Sequence, residues 1–241
     1  MNSLGSRFTL LALGLAAVAL PARAQLFNAA DQAEITSVID RGPLTFTSVF
    51  TKVAGDGQNA TNFNLAADGK GPSLAVLDVT PFDTSDGLFD LPDQVIGGGT
   101  PLAFDSSNSW HLAFGLDQSA FLFNFTDGAI QRENTTGAAG AFQTYNSFVL
   151  GPVFGLGDLV TGFDLEHGTA LHASYGGTSA LTPNILGTQS IEGFRINRLE
   201  VYSVALAAIP EPATYGLIVA ASLAFVVLLR RKQRTVTALT A

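Results

Sequence analysis

Short apolar runs with a period of two, broken repeatedly by Gly and Pro, dominate residues 25–209. Leu44, Phe46 and Phe50 alternate with Thr45, Thr47 and Thr51, which predicts a half-buried strand. Leu74-Ala75-Val76-Leu77 has no polar alternation and predicts a strand buried on both faces. Phe121, Phe123 and Phe125 alternate with Ala120, Leu122 and Asn124 in the clearest strand pattern of the chain. Near the end, Phe194 and Ile196 share one phase while Leu199 and Val201 share the other. A period of two cannot change face unaided, so this segment predicts a bulge near Asn197-Arg198 or a central strand. Helical signals are fewer. Asp31-Gln32-Ala33-Glu34 reads as a capping box before Ile35, Val38 and Ile39, with Gly42-Pro43 as the stop. Phe63, Ala66 and Ala67 predict a short helix ending at Asp68-Gly69. These elements predict an α+β fold: a mainly antiparallel β-sandwich with two or three small flanking helices. The region shows no internal repeat, and its length suits one domain that buries roughly 70% of its unfolded surface.

Composition narrows the function classes. The chain has 241 residues, 47% hydrophobic and 13% charged, which excludes a disordered tail or a collagen. It contains no Cys, so disulfides, thiol catalysis and thiolate metal sites are excluded as well. Residues 25–209 carry 19 acidic and 6 basic side chains, a formal charge of −13. A nucleic-acid partner needs a basic footprint, and this region has the opposite sign.

The two ends read as addresses. Arg7 precedes the apolar run Phe8 to Leu20, and Pro21-Ala22-Arg23-Ala24 follows. Ala22 and Ala24 form the small-x-small pattern of a signal peptidase site, with cleavage before Gln25. Thirteen helical residues rise only about 20 Å, too short for a hydrocarbon core of about 30 Å, so residues 1–24 read as a removed secretory signal. At the other end, Pro210-Glu211-Pro212 is followed by 17 uncharged residues, 213–229, and then by Arg230-Arg231-Lys232-Gln233-Arg234. Seventeen helical residues rise about 26 Å, enough to span with snorkelling arginines. The basic cluster keeps residues 235–241 as a short cytoplasmic tail while residues 25–209 are exported. Pro-Glu-Pro, one apolar helix and an arginine cluster, in that order, resemble the PEP-CTERM sorting signal over residues 210–234. That resemblance implies an exosortase, a membrane cysteine transpeptidase, as processing partner, in a Gram-negative bacterium that makes exopolysaccharide. The expected partners are therefore the secretion machinery and signal peptidase, the exosortase, the inner membrane for the precursor, and an exopolysaccharide or envelope matrix.

A second resemblance spans about residues 34–204. In order come Leu44-Thr45-Phe46-Thr47-Ser48, Asp56-Gly57, Asn62-Phe63-Asn64, Asp68-Gly69-Lys70-Gly71-Pro72-Ser73-Leu74 and Gln94-Val95-Ile96-Gly97-Gly98-Gly99-Thr100. Phe121-Leu122-Phe123, Gly151-Pro152-Val153-Phe154-Gly155-Leu156-Gly157-Asp158-Leu159 and Gly193-Phe194-Arg195-Ile196-Asn197-Arg198-Leu199-Glu200-Val201-Tyr202 complete the series. This order is similar to a TLDc domain. The departures are the acidic stretch Pro81 to Asp93 and Asn64, where relatives often carry His. The resemblance implies two antiparallel sheets packed as a sandwich, a structural role for Gly151, Pro152, Phe154, Gly155, Gly157, Asp158, Phe194 and Glu200, and no established catalytic mechanism. The vacuolar proton pump that eukaryotic members bind does not carry over to an exported bacterial protein.

Candidate chemistry is sparse. Glu166-His167 and His172 have metal-ligating types, but their spacing is not H-E-x-x-H and Gly168 interrupts a helix. His111 stands apart. Asp83, Asp86, Asp90 and Asp93 surround Gly87 without EF-hand spacing and read as a solvated acidic loop. Gly155-Leu156-Gly157 lacks the Lys or third glycine of a phosphate loop and reads as an arch between strands. Glu200, among apolar neighbours, reads as an edge charge or an ion-pair partner. No G-x-S-x-G elbow is present. No catalytic, cofactor-binding or metal-ligating residue is therefore assigned. The expectation is an exported, surface-sorted protein whose domain binds rather than catalyses. The alternatives are a surface hydrolase using Glu166, His167 or the acidic loop, and a purely structural matrix protein.

Overall fold

A computed structural model of the chain describes residues 26–83, 87–88, 91–112, 119–134, 141–176, 183–188 and 191–207. The proposed signal peptide and the Pro-Glu-Pro segment with its apolar run lie outside the described residues. In chain order the elements are α1 (Ala29–Ile39), β1 (Leu44–Val53), α2 (Ala60–Ala67), β2 (Ser73–Pro81), β3 (Gln94–Thr100) and β4 (Ser109–Leu112). They continue with β5 (Phe121–Asn124), β6 (Ala129–Arg132), β7 (Phe142–Asn146), β8 (Val153–Phe154), β9 (Leu159–Thr161), β10 (His167–Ala170) and β11 (Glu192–Leu206). The described fold is thus mainly antiparallel β with two helices. The strands pair in the order β4-β7-β8-β9-β10-β11-β2-β3-β5-β6, with β1 added on β11. The two layers are halves of one continuous hydrogen-bonded sheet that turns back on itself, rather than two separate sheets.

The turn is made by β11. Its C-terminal part pairs with β1, its N-terminal part pairs with β10, and β2 runs along the opposite edge. Against β2, Ile196 faces Val79 and Arg198 faces Asp78, so Asn197 is an extra residue. The Asn197 carbonyl accepts from the Ala54 N–H at 2.9 Å, just where β1 ends. The bulge flips the side-chain phase, so Phe194, Ile196, Leu199 and Val201 all enter the same core cluster. The phase switch in the sequence and the bulge are one feature. A second bulge, between Ser48 and Phe50, acts likewise in β1: Leu44 and Phe46 pack on one core and Phe50 enters the other.

The two cores lie on opposite faces of β2. Leu74 and Val76 pack with Phe27, Ile35, Phe121, Phe123 and Tyr202 beneath α1. Ala75, Leu77 and Val79 pack with Phe63 of α2 and with Phe104, Phe154 and Tyr175 between the layers. β3 fits between them through three glycines. A Cβ at Gly97 would lie 2.4 Å from the Phe123 ring, at Gly98 2.9 Å from the Phe154 ring, and at Gly99 2.6 Å from the Phe121 ring. Aromatic rings therefore cover this strand from both sides, and any side chain would displace them.

The helix start differs from the sequence expectation. The cap of α1 is Asn28, whose Oδ1 accepts from the Ala30 and Asp31 N–H groups, while Asp31 returns the bond to the Asn28 N–H. The box therefore sits three residues earlier than Asp31-Gln32-Ala33-Glu34. Phe27, fully buried just before it, fixes the earlier entry by its contacts with Phe46 and Tyr202. α2 ends at Asp68, as its composition predicts.

Candidate functional site

The arch from Gly151 to Asp158 is built for support. Gly155 (φ +62) and Gly157 (φ +105) take backbone conformations that side chains disfavour, and a Cβ on Gly155 would collide with the Asp158 carboxylate. Asp158 is fully buried and accepts from the backbone N–H groups of Ala173 (2.7 Å), Ser174 (2.8 Å) and Tyr175 (3.0 Å). It pins residues 173–175 under the arch. The Pro152 carbonyl takes both the N–H and the hydroxyl of Thr161 at 3.2 Å, and Gly151 leaves room for Leu165 and Thr161. Phe154 and Phe194 are fully buried. Glu200 lies inside the sheet, where Arg198, the Tyr202 hydroxyl and the Leu26 N–H all converge on its carboxylate. It is an interior ion-pair partner, not an edge charge.

The candidate catalytic groups do not converge. Glu166 binds the ammonium of Lys52, a side chain only 1% exposed, and also accepts from the Gly55 N–H at 3.1 Å. Asp56 stands 3.7 Å from the same ammonium. Glu166 therefore neutralises a buried cation instead of presenting a free base. His167 points to Asp164 at 3.4 Å on the exposed side of β10. Burial opposes ionisation of Asp164, but the Glu166 N–H and His167 outweigh it and hold the carboxyl below its usual range. His172 is half-buried and its Nε2 has no hydrogen-bond partner. Asp83 bridges to Leu88, and Asp93 accepts from the Thr80 hydroxyl at 2.6 Å. Asp86 and Asp90 lie outside the described residues. Among the described residues, no three His, Asp or Glu side chains are placed to hold a metal ion.

One perturbed acid is closed to substrate. Glu133, 5% exposed, faces Tyr175 across a β-bridge; burial pushes its pKa up to about 8 against a weaker opposing bond from Gln143. Its Oε1 has no hydrogen-bond partner. Burial, then the charges of Glu133 and Asp158, also push the Tyr175 hydroxyl well above its ordinary range, and that hydroxyl donates to the Gln143 carbonyl at 2.9 Å.

A partly exposed aromatic group lies elsewhere, on the β4–β7 ribbon at the end of the sheet path. Trp110, the chain's single tryptophan, faces Tyr145 directly across the ribbon. Its ring stands 4.7 Å from that of Tyr145 and 5.1 Å from that of Phe142. A register shift between His111 and Leu112 brings Phe142 onto the Tyr145 side. Trp110 is 36% exposed and Leu112 beside it 43%. One polar side chain meets the rings. The Tyr145 hydroxyl donates to Asn108 Oδ1 at 3.0 Å, and Asn108 itself sits at φ +55 in the turn before β4. His111, next to Trp110 on β4, alternates to the other face of the ribbon opposite buried Thr144, where its Nε2 meets Asp105 at 2.8 Å; Asp105 also accepts from the Ser107 N–H at 2.9 Å. Burial works against ionised Asp105, yet Ser107 and His111 overcome it and hold the carboxyl low. Sequence reading missed this platform. Trp110 and Tyr145 are far apart in the chain, and only the strand pairing joins them.

No family model matches the chain, and no curated protein does. Among the described residues no helix is long and apolar enough to cross a membrane. The class defined by the fold is a mainly antiparallel β domain with two helices, carrying an exposed aromatic ribbon.

Proposed function

We propose that the protein is exported, sorted to the cell surface through its PEP-CTERM-like C-terminus, and works there as a non-catalytic binding protein whose domain is TLDc-like. Its ligand is a polysaccharide of the envelope or extracellular matrix, taken up on the Trp110 ribbon. The observation that carries this reading is the exposed Trp110 ring packed on Tyr145 and Phe142, with the Tyr145 hydroxyl bonded to the Asn108 side chain. Sugar rings present flat C–H faces that pack on aromatic surface, and equatorial hydroxyls that meet donors and acceptors at the edge. Rigid aromatic anchors with a polar border are also where binding energy concentrates. The pairing of Glu166 with Lys52 supports binding over hydrolysis. The TLDc-like reading is supported by the antiparallel two-layer fold and by the buried arch at residues 151–158. Export is supported by the A-x-A site before Gln25.

The test is retention of the full chain on polysaccharide purified from the same cells. W110A/Y145A is expected to lose at least tenfold in affinity with its circular dichroism unchanged. Undiminished binding by that variant would remove the platform from the account, and no binding by the wild type would favour a purely structural role.

A further inference from the structure

Where the chain leaves β11 lies a second feature that polysaccharide binding does not use. A cavity of about 400 Å³ opens between the C-terminus of α1 and the ends of β1, β2, β3, β5 and β11. Its wall is apolar, including Leu44, Leu74, Phe121 and Val204. Two exposed cations, Arg41 and Arg132, stand at its mouth, and none of the described residues lining it is acidic. Arg132 is held in place because its Nη2 donates to the Val38 carbonyl at 2.7 Å in the last turn of α1. A guanidinium carries five donors, so that bond leaves capacity for an oxyanion. An apolar chamber with cations at its entrance fits an amphiphile whose head is an anion.

Position selects the amphiphile. Leu206 lines the cavity, and the Ala207 N–H closes on the Pro43 carbonyl at 2.8 Å. Only residues 207–212 separate this wall from the uncharged run 213–229. Six residues can span at most about 20 Å. With that run in the bilayer, the cavity mouth stays within reach of the headgroup layer. We propose that in the membrane-anchored precursor this cavity takes an acyl chain of an anionic phospholipid, with the phosphate bound by Arg41 and Arg132. The proposal rests on the anchoring part of the functional reading, since that part brings the cavity to the lipid. Its consequence is orientation: the seated lipid holds the domain with its β11 exit toward the bilayer.

The test reconstitutes the full chain in nanodiscs of phosphatidylcholine doped with a phosphatidylglycerol that carries a diazirine on its acyl chain. After irradiation, adducts are located residue by residue by mass spectrometry. Labels are expected both within 213–229 and on cavity residues such as Leu44, Phe121 and Val204. R41Q/R132Q should cut the cavity labels about tenfold and leave those in 213–229 unchanged. A205W, which blocks the exposed side of the cavity without changing charge, should do the same. Labels in 213–229 without cavity labels, or cavity labels indifferent to both variants, overturn the proposal. Cavity labels without labels in 213–229 support the lipid site and refute the anchor instead. Absence of both sets refutes both readings.

Discussion

Replacing Glu133 by Gln isolates the cost of burying one carboxylate. In the fold its pKa is pushed up to about 8, from an ordinary value of 4.5, mainly by burial. Between these two values the native state keeps a proton that the unfolded chain has lost. The native state then binds more protons, so stability falls as pH rises through this window and levels off above about 8. The interval, at roughly 1.4 kcal/mol per pH unit, sets a ceiling of about 5 kcal/mol. Gln has nearly the same shape, can accept the Gln143 bond at position 133, and never ionises. Urea unfolding of the wild type and E133Q, each at a series of pH values from 4 to 9, measures the difference. Other titrating groups are common to both chains and cancel. E133Q should match the wild type near pH 4.5 and exceed it by about 3 to 5 kcal/mol at pH 9. A stability difference that does not change with pH would refute the burial argument.

Asp158→Ala leaves the N–H groups of Ala173, Ser174 and Tyr175 without their acceptor, which should cost about 3 to 5 kcal/mol by denaturant unfolding; a loss under 1 kcal/mol would mean residues 173–175 are held by other contacts. Gly98→Ala places a methyl against Phe154 and Leu122 at a buried strand position and should destabilise by about 1 to 3 kcal/mol, read as a lowered Tm. Replacement of Pro210-Glu211-Pro212 by Ala-Ala-Ala in the native host should leave the protein in the membrane fraction; unchanged sorting would reduce the segment to a simple tail anchor.

The elements legible in sequence are those whose pattern is local. β5 and α2 follow from Phe121-Leu122-Phe123 and from Phe63 with Ala67, because periodicity alone places their apolar faces. The conflict of phase between Ile196 and Leu199 announced the bulge at Asn197 for the same reason. What local pattern could not supply was partnership. Lys52, near the end of β1, is buried with Glu166, more than a hundred residues on, against its ammonium, a pairing that no local pattern carries. Asp31 reads as a cap, but Phe27 draws the helix start back to Asn28 by tertiary packing. The aromatic ribbon was hidden because Trp110 and Tyr145 carry no motif until β4 and β7 pair. The single continuous sheet was hidden likewise, since β8 and β9 are only 2 and 3 residues long and their pairing is set by the arch between them.

Binding without catalysis is the central claim, and one comparison tests it most directly. The wild-type chain, W110A/Y145A and the triple variant E166Q/H167A/H172A are measured side by side for affinity to polysaccharide purified from the producing cells. Gln is used at position 166 so that the buried Lys52 ammonium keeps a polar partner. The account predicts that the triple variant binds like the wild type and that W110A/Y145A loses tenfold or more. Loss of binding in a folded triple variant, with W110A/Y145A unaffected, would contradict it.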